Sequence, residues 1–236
     1  MKTPIYGEHA ASNGTKQLTN NEITELLAAE QLRVLVARLE QLGHQRPARV
    51  LALTSAVASE GKTTLSVNLA MVMSKGFGKK TLLVDGDFRR PGVATLLGRQ
   101  FSHGLVEMLK GTVEPSGARW RLSDQQLTIL PLVKADPDAA PLLSDPAARA
   151  RFQQAIAGFD VVIIDTAPVL PLADINLFSD LVDGFLFVVQ AGETPRRLIA
   201  SAVKNIPPGK LLGFVLNKTK EFGRAAFGHH YYNPYH

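Results

Sequence analysis

Residues 49–70 read R-V-L-A-L-T-S-A-V-A-S-E-G-K-T-T-L-S-V-N-L-A, and the fold of the whole chain can be read outward from them. Val50, Leu51, Ala52 and Leu53 form a short apolar run of the kind that makes a buried strand. A polar turn follows and ends in Gly61-Lys62-Thr63-Thr64. From Leu65 the spacing of Leu65, Leu69 and Val72 is helical. A strand, a flexible turn and a helix opening on Gly-Lys-Thr make the architecture of a phosphate-binding loop. The N–H groups at a helix N-terminus lack intrahelical partners and therefore attract anions. Gly61 lets the backbone approach phosphate, Lys62 reaches the β- and γ-phosphates, and the Thr63 hydroxyl is placed for Mg²⁺. The first glycine of the G-x-x-x-x-G-K-[ST] pattern is replaced by Ala56.

The remaining chain predicts an α/β fold with a mostly parallel central sheet and helices on both faces, in three layers. After the loop helix come apolar strands over residues 81–84, 127–133, 161–164, 184–189 and 211–216. Between them lie helical segments, including short ones over 92–115 broken at Gly98, Gly104 and Gly111, and others over 174–181 and 194–205. Residues 138–146 read as a proline-rich loop, with Asp145 capping a helix that runs to Gly158. Residues 1–19 are polar and aperiodic and predict a flexible leader. Residues 20–43 predict a long amphipathic helix outside the nucleotide core, able to pack on that core or on a neighbouring subunit. With the core at 49–218 it makes one domain, 20–218, followed by a flexible tail at 219–236.

Composition narrows the function classes. The 236 residues, 45% apolar and 20% charged, are those of an ordinary globular protein, and without cysteine no thiolate metal site or disulfide exists. The net charge of +5 is scattered rather than gathered in one basic stripe, which speaks against nucleic acid. No apolar run reaches the roughly 18–20 residues of a membrane span. Membrane association is therefore expected only through a partner or surface charge.

Three acids end two of the predicted strands: Asp85 and Asp87 in L-L-V-D-G-D-F-R-R-P, and Asp165 in V-V-I-I-D-T-A-P. A lone aspartate at such a place is commonly a turn former or a cap. Three at strand ends beside a phosphate loop suit Mg²⁺, which takes oxygen ligands and water.

These stretches, with A-V-A-S-E-G-K-T-T, resemble the Walker A, Walker A′ (D-x-D-x-R) and Walker B (D-x-x-P) motifs of bacterial tyrosine kinases, P-loop proteins of the Min/Par-like class. The likeness runs from Arg49 to Lys218. It implies ATP as phosphoryl donor, with Lys62 on phosphate, Thr63 and Asp87 on Mg²⁺, Asp165 in support, and Asp85 as the base that activates a hydroxyl. The nucleotide site it implies comprises Ala58, Ser59, Glu60, Gly61, Lys62, Thr63 and Thr64, with Arg89, and Asn217 at the adenine. Three of the four tyrosines, Tyr231, Tyr232 and Tyr235, lie in the last six residues, and the resemblance makes them autophosphorylation sites. The 14 residues from Asn217 to Tyr231 span roughly 45–50 Å when extended, enough to enter their own active site or a neighbour's.

The resemblance further implies control of exopolysaccharide or capsule polymerisation or export. Its partners are a separate membrane-spanning co-polymerase that activates the kinase, a counteracting tyrosine phosphatase, and further copies of the chain. That places it in the cytoplasm, peripheral to the inner face of the membrane. Two departures stand out. The second lysine of Min- and Par-type ATPases falls at Val57, and the E-x-x-R-x-x-R motif used in ring-shaped oligomers has Glu30 and Arg33 but Val36 at its third position, with Arg38 nearby. The competing readings are a Min/Par-like regulatory ATPase that recruits partners without labelling tyrosine, and a nucleotide-binding scaffold without turnover.

Overall fold

The computed structural model describes residues 20–45, 48–122, 126–170 and 175–219. The leader and, from residue 220, the tyrosine-bearing tail lie outside the described residues. In chain order the elements are α1 (Asn20–Gly43), β1 (Val50–Ser55), α2 (Lys62–Met71), β2 (Thr81–Gly86), α3 (Val93–Leu97), α4 (Leu105–Leu109), β3 (Trp120–Arg121) and β4 (Leu127–Leu130). They continue with α5 (Pro146–Ile156), β5 (Val161–Thr166), α6 (Ile175–Phe178), β6 (Gly184–Gln190), α7 (Arg196–Val203) and β7 (Leu211–Asn217).

The strands form one sheet in the order β3-β4-β2-β5-β1-β6-β7. All neighbours are parallel except β3, which runs antiparallel to β4 at the edge. The central strands are buried on both faces, as their unbroken apolar runs require. Side chains alternate between two cores. Val50, Ala52, Leu82, Val84, Val162, Ile164, Phe185 and Phe187 share one core with residues of α4 to α7. Leu51, Leu53, Leu83, Ile163, Leu186 and Val188 share the other with α1, α2 and Val93 of α3.

The long first helix is part of this second layer. Leu32, Val36 and Leu39 are buried among α2 residues, and Glu40 pairs with Lys79 at 3.0 Å. Val36 is thus a core residue, whereas Glu30 and Arg33 form an exposed ion pair at 3.0 Å. Asp145 caps α5 as expected, accepting from Ala148 N at 2.8 Å ahead of Pro146. Three boundaries differ from the sequence reading. Residues expected as a proline-rich loop form a 3₁₀ helix, Pro137–Ser144, because the buried Ala139, Ala140 and Leu143 fasten it to the core. The strand expected over 127–133 pairs only to Leu130. The edge strand β3 has no apolar run, and its pairing with β4 appears only in the fold.

The order places β5 between β1 and β2: Val162 pairs with Val50 on one side and Leu82 on the other. β1 also pairs with β6 on its far side, so the connections leaving β1 (to β2) and its neighbour β5 (to β6) run in opposite directions across the sheet, a reversal between these two strands. Ligands of open parallel sheets bind at the carboxyl ends of strands beside such a reversal. The carboxyl ends of β2 and β5 are also tightly packed. A Cβ on Gly86 would stand 2.8 Å from Phe178 Cζ and 3.0 Å from both the Asp165 carbonyl and Ile164 Cγ2. Gly86→Ala should therefore cost about 1–3 kcal/mol, the usual range for overpacking. Chemical denaturation checks this; wild-type stability would mean the β2–β5 end is not close-packed.

Candidate active site

The loop after β1 opens on Ala56, which is fully buried in the first core where the pattern has glycine. The Leu170 and Val169 amides donate to the carbonyls of Ala56 and Ser55, at 3.1 and 2.8 Å. Gly61 closes the loop with φ of 90°, and α2 starts at Lys62. Only glycine adopts that conformation readily, and a Cβ here would also lie 2.2 Å from Asn217 Nδ2. Lys62 folds back across the loop: its Nζ donates to Ser55 Oγ at 3.0 Å, and Ser55 Oγ donates to the Val57 carbonyl at 2.7 Å. Burial lowers the Lys62 pKa, while Asp165, Asp87 and Glu60 hold the charge in place.

The three predicted acids converge at the ends of β2 and β5. Asp85 and Asp165 are direct partners in the β2–β5 register, and both are fully buried. Asp85 Oδ2 accepts from the Gly92 and Val93 amides, each at 3.0 Å, so this side chain also pins the start of α3. Its Oδ1 receives only a long bond, 3.4 Å, from Asp87 N. Asp87 Oδ1 accepts from the Arg89 and Arg90 amides at 3.2 and 3.0 Å. Burial, then the neighbouring Asp165, pushes Asp85 up to about 8. Burial likewise raises Asp165 to about 6, against the pull of the Thr63 hydroxyl and the Lys62 charge.

Thr63 is half-buried and Thr64 exposed at the start of α2. A Cβ on Gly92 would lie 3.1 Å from Thr63 Cγ2, so the β2–α3 loop leans on this threonine. Lys62, Thr63, Asp85, Asp87 and Asp165 thus share one corner of the molecule. Ala58, Ser59 and Arg89 are exposed around it. Asn217 stands at the loop from the end of β7, its amide donating to the Glu60 carbonyl at 2.8 Å. Tyr231, Tyr232 and Tyr235 lie outside the described residues.

Glu60 has a role that the motif did not reveal. Its carboxylate is buried, with the residue 1% exposed, and accepts from Val57 N at 2.9 Å, Gln190 N at 3.1 Å and the Thr194 hydroxyl. It ties the phosphate loop to the end of β6. One signal lay in the sequence: a carboxylate inside a phosphate loop repels the ligand unless it is turned away and satisfied.

One observation tests the fit of Mg²⁺. Asp165 Oδ2 is buried without any hydrogen-bond partner, while Oδ1 takes a 3.3 Å bond from Ser66 Oγ. A partnerless carboxylate oxygen beside Thr63, at the meeting point of Asp85, Asp87 and Asp165, is the donor chemistry of a hard divalent cation. No group of three His, Cys, Asp or Glu side chains among the described residues forms a closed metal cage.

No family model matches the chain. The succinoglycan biosynthesis transport protein ExoP of Rhizobium meliloti (strain 1021) is 36% identical over 199 residues, which are 81% of this chain but 25% of ExoP. Tyrosine-protein kinase YwqD of Bacillus subtilis (strain 168) is 31% identical over 206 residues, 86% of each protein. The chain therefore spans a quarter of the first relative and most of the second. Among solved structures, the chimerical protein CapA2B2 superposes with a TM-score of 0.76 at 25% identity, over 81% of this chain and 85% of that one. Cobyrinic acid a,c-diamide synthase from Mycobacterium smegmatis, solved with a bound ATP analogue and magnesium, superposes at 0.52 with 26% identity, over 71% and 72%.

The raised acids set a pH dependence. An aspartate of ordinary pKa about 3.9 when unfolded and higher when folded binds its proton more tightly in the native state. The stability it contributes is complete below that value and is lost as pH rises, through about 6 for Asp165 and about 8 for Asp85. In chelator, the melting temperature should fall from pH 5 to pH 9. Asp165→Asn should flatten the lower part of the fall and Asp85→Asn the upper part. Profiles superimposable on wild type would contradict the burial of these charges.

Proposed function

The chain belongs to the bacterial tyrosine-protein kinases, and on that premise we propose that it transfers the γ-phosphoryl group of ATP to tyrosines of its own C-terminal cluster, Tyr231, Tyr232 and Tyr235. The observation that carries this reading is the meeting of Lys62, Thr63, Asp85, Asp87 and Asp165 at the carboxyl ends of β1, β2 and β5. In the transfer, a tyrosine oxygen bonds to the γ-phosphorus and the bond to the ADP oxygen breaks. The hydroxyl proton passes to the ionised form of the Asp85 carboxylate, whose Oδ1 has only one long bond and which burial makes a stronger base than an ordinary carboxylate. Lys62 follows the charge on the β- and γ-phosphates, and the amides of the loop hold the β-phosphate. Thr63 and Asp87, with Asp165 behind them, would hold Mg²⁺, which would supply charge neutralisation at the phosphate oxygens.

The biological setting follows from the relatives. ExoP is named for succinoglycan biosynthesis and transport, and we infer that this kinase regulates polymerisation or export of an exopolysaccharide or capsule. No helix among the described residues is long and apolar enough to cross a membrane. We infer that a separate membrane-spanning co-polymerase activates the kinase and recruits it to the inner membrane face, with a tyrosine phosphatase reversing the modification. The assembly of copies differs from one built on a complete E-x-x-R-x-x-R motif, because Val36 is spent in the core.

Incubation with ATP and Mg²⁺, followed by mass-spectrometric mapping, tests the reading. Phosphate is expected on the tail tyrosines and should fall by about 10²–10³ in Lys62→Ala, the usual loss when a preorganised charge is removed from a transition state. A tail unlabelled both alone and with the co-polymerase's cytoplasmic segment would overturn it. Nucleotide-dependent association without labelling would instead support the regulatory ATPase.

A further inference from the structure

Two non-glycine residues among the described ones have positive φ: Ser59 at 66° and Lys218 at 54°. Both conformations are sterically disfavoured for residues with a Cβ. The two are joined, because Lys218 Nζ donates to the Ser59 carbonyl at 2.6 Å. The adjacent residues make a parallel contact, Asn217 Nδ2 donating to the Glu60 carbonyl at 2.8 Å. Lys218 is steadied by Gln190 Oε1 at 3.0 Å, and Gln190 N in turn donates to the Glu60 carboxylate at 3.1 Å.

A trans peptide is planar, with its C=O and N–H pointing in opposite directions. Two successive carbonyls of the phosphate loop, Ser59 and Glu60, are drawn toward the end of β7. The N–H groups of the same two peptides, those of Glu60 and Gly61, therefore point away from β7. We propose that Lys218 is a positioning residue for phosphoryl transfer: with Asn217 it clamps the loop from the end of β7 and so aims the Glu60 and Gly61 amides at the β-phosphate of ATP. The clamp rests on the nucleotide-site reading above. It gives Asn217 work at the phosphate loop, distinct from the adenine contact that the family resemblance implies. It also accounts for both backbone outliers, since each sits at one end of the same hydrogen bond.

The test is the affinity of the full chain, with Mg²⁺, for adenosine, AMP, ADP and ATP. Lys218→Met should weaken ADP and ATP by about ten- to a hundredfold, the range for losing a hydrogen bond from a charged group. Adenosine and AMP should stay within about twofold. Lys218→Arg should recover most of the loss, and the KM for ATP should rise more than kcat falls. Melting curves accompany each variant, and Lys218→Gln carries the same expectation if Lys218→Met does not fold. Equal weakening of adenosine and ATP would assign the pair to the base and overturn the clamp. Unchanged affinity for all four ligands would overturn it too. A wild-type chain that bound neither ADP nor ATP would bring down the nucleotide-site reading together with the clamp.

Discussion

Asp85 and Asp165 stand side by side on adjacent strands, both without solvent contact, and the chemistry of this chain depends on how that crowding of negative charge is tolerated. Two buried carboxylates at neighbouring positions disfavour each other's ionisation, and burial disfavours it further. Lys62, itself buried, brings a positive charge to Asp165, and it is held there although burial lowers its pKa. The hydrogen bonds from Gly92, Val93 and Ser66 satisfy part of the acceptors and leave Asp165 Oδ2 bare. A corner built this way is incompletely neutralised by the protein alone. It is prepared for a hard cation and a phosphate chain that complete the balance between them.

The same corner shows how the halves of the chain cooperate. The phosphate loop is local in sequence, yet its shape is fixed from far away. Glu60 is anchored on Gln190 and Thr194, and the carbonyls of Ser59 and Glu60 on Lys218 and Asn217, more than 100 residues downstream. Preorganised donors contribute most to catalysis when they need no reorganisation as charge develops.

How much of this was legible beforehand differs between residues. The buried strands announced themselves as β-branched runs, and α1 and α2 as helical spacings, because burial on both faces or on one stripe leaves a direct imprint on residue order. The 3₁₀ helix Pro137–Ser144 and the edge strand β3 left no such imprint. The former is held by packing of Ala139, Ala140 and Leu143, the latter by pairing to β4 and by Trp120, whose indole donates to the His103 carbonyl. Glu60 was visible only as a member of a loop motif, since its partners are two backbone amides and a hydroxyl that any sequence could supply.

The sequence by itself determined the class of chemistry. Gly61-Lys62-Thr63 at a strand–helix junction and aspartates closing apolar runs are local arrangements, each legible from a few consecutive residues. The order of the strands was decided only in three dimensions. The insertion of β5 between β1 and β2 puts Asp165 between the loop and Asp85. Likewise β7, beside β6, brings Asn217 and Lys218 to the loop. Strand order and peptide-plane orientation are set by packing and hydrogen bonds between segments distant in sequence, and no local pattern encodes them.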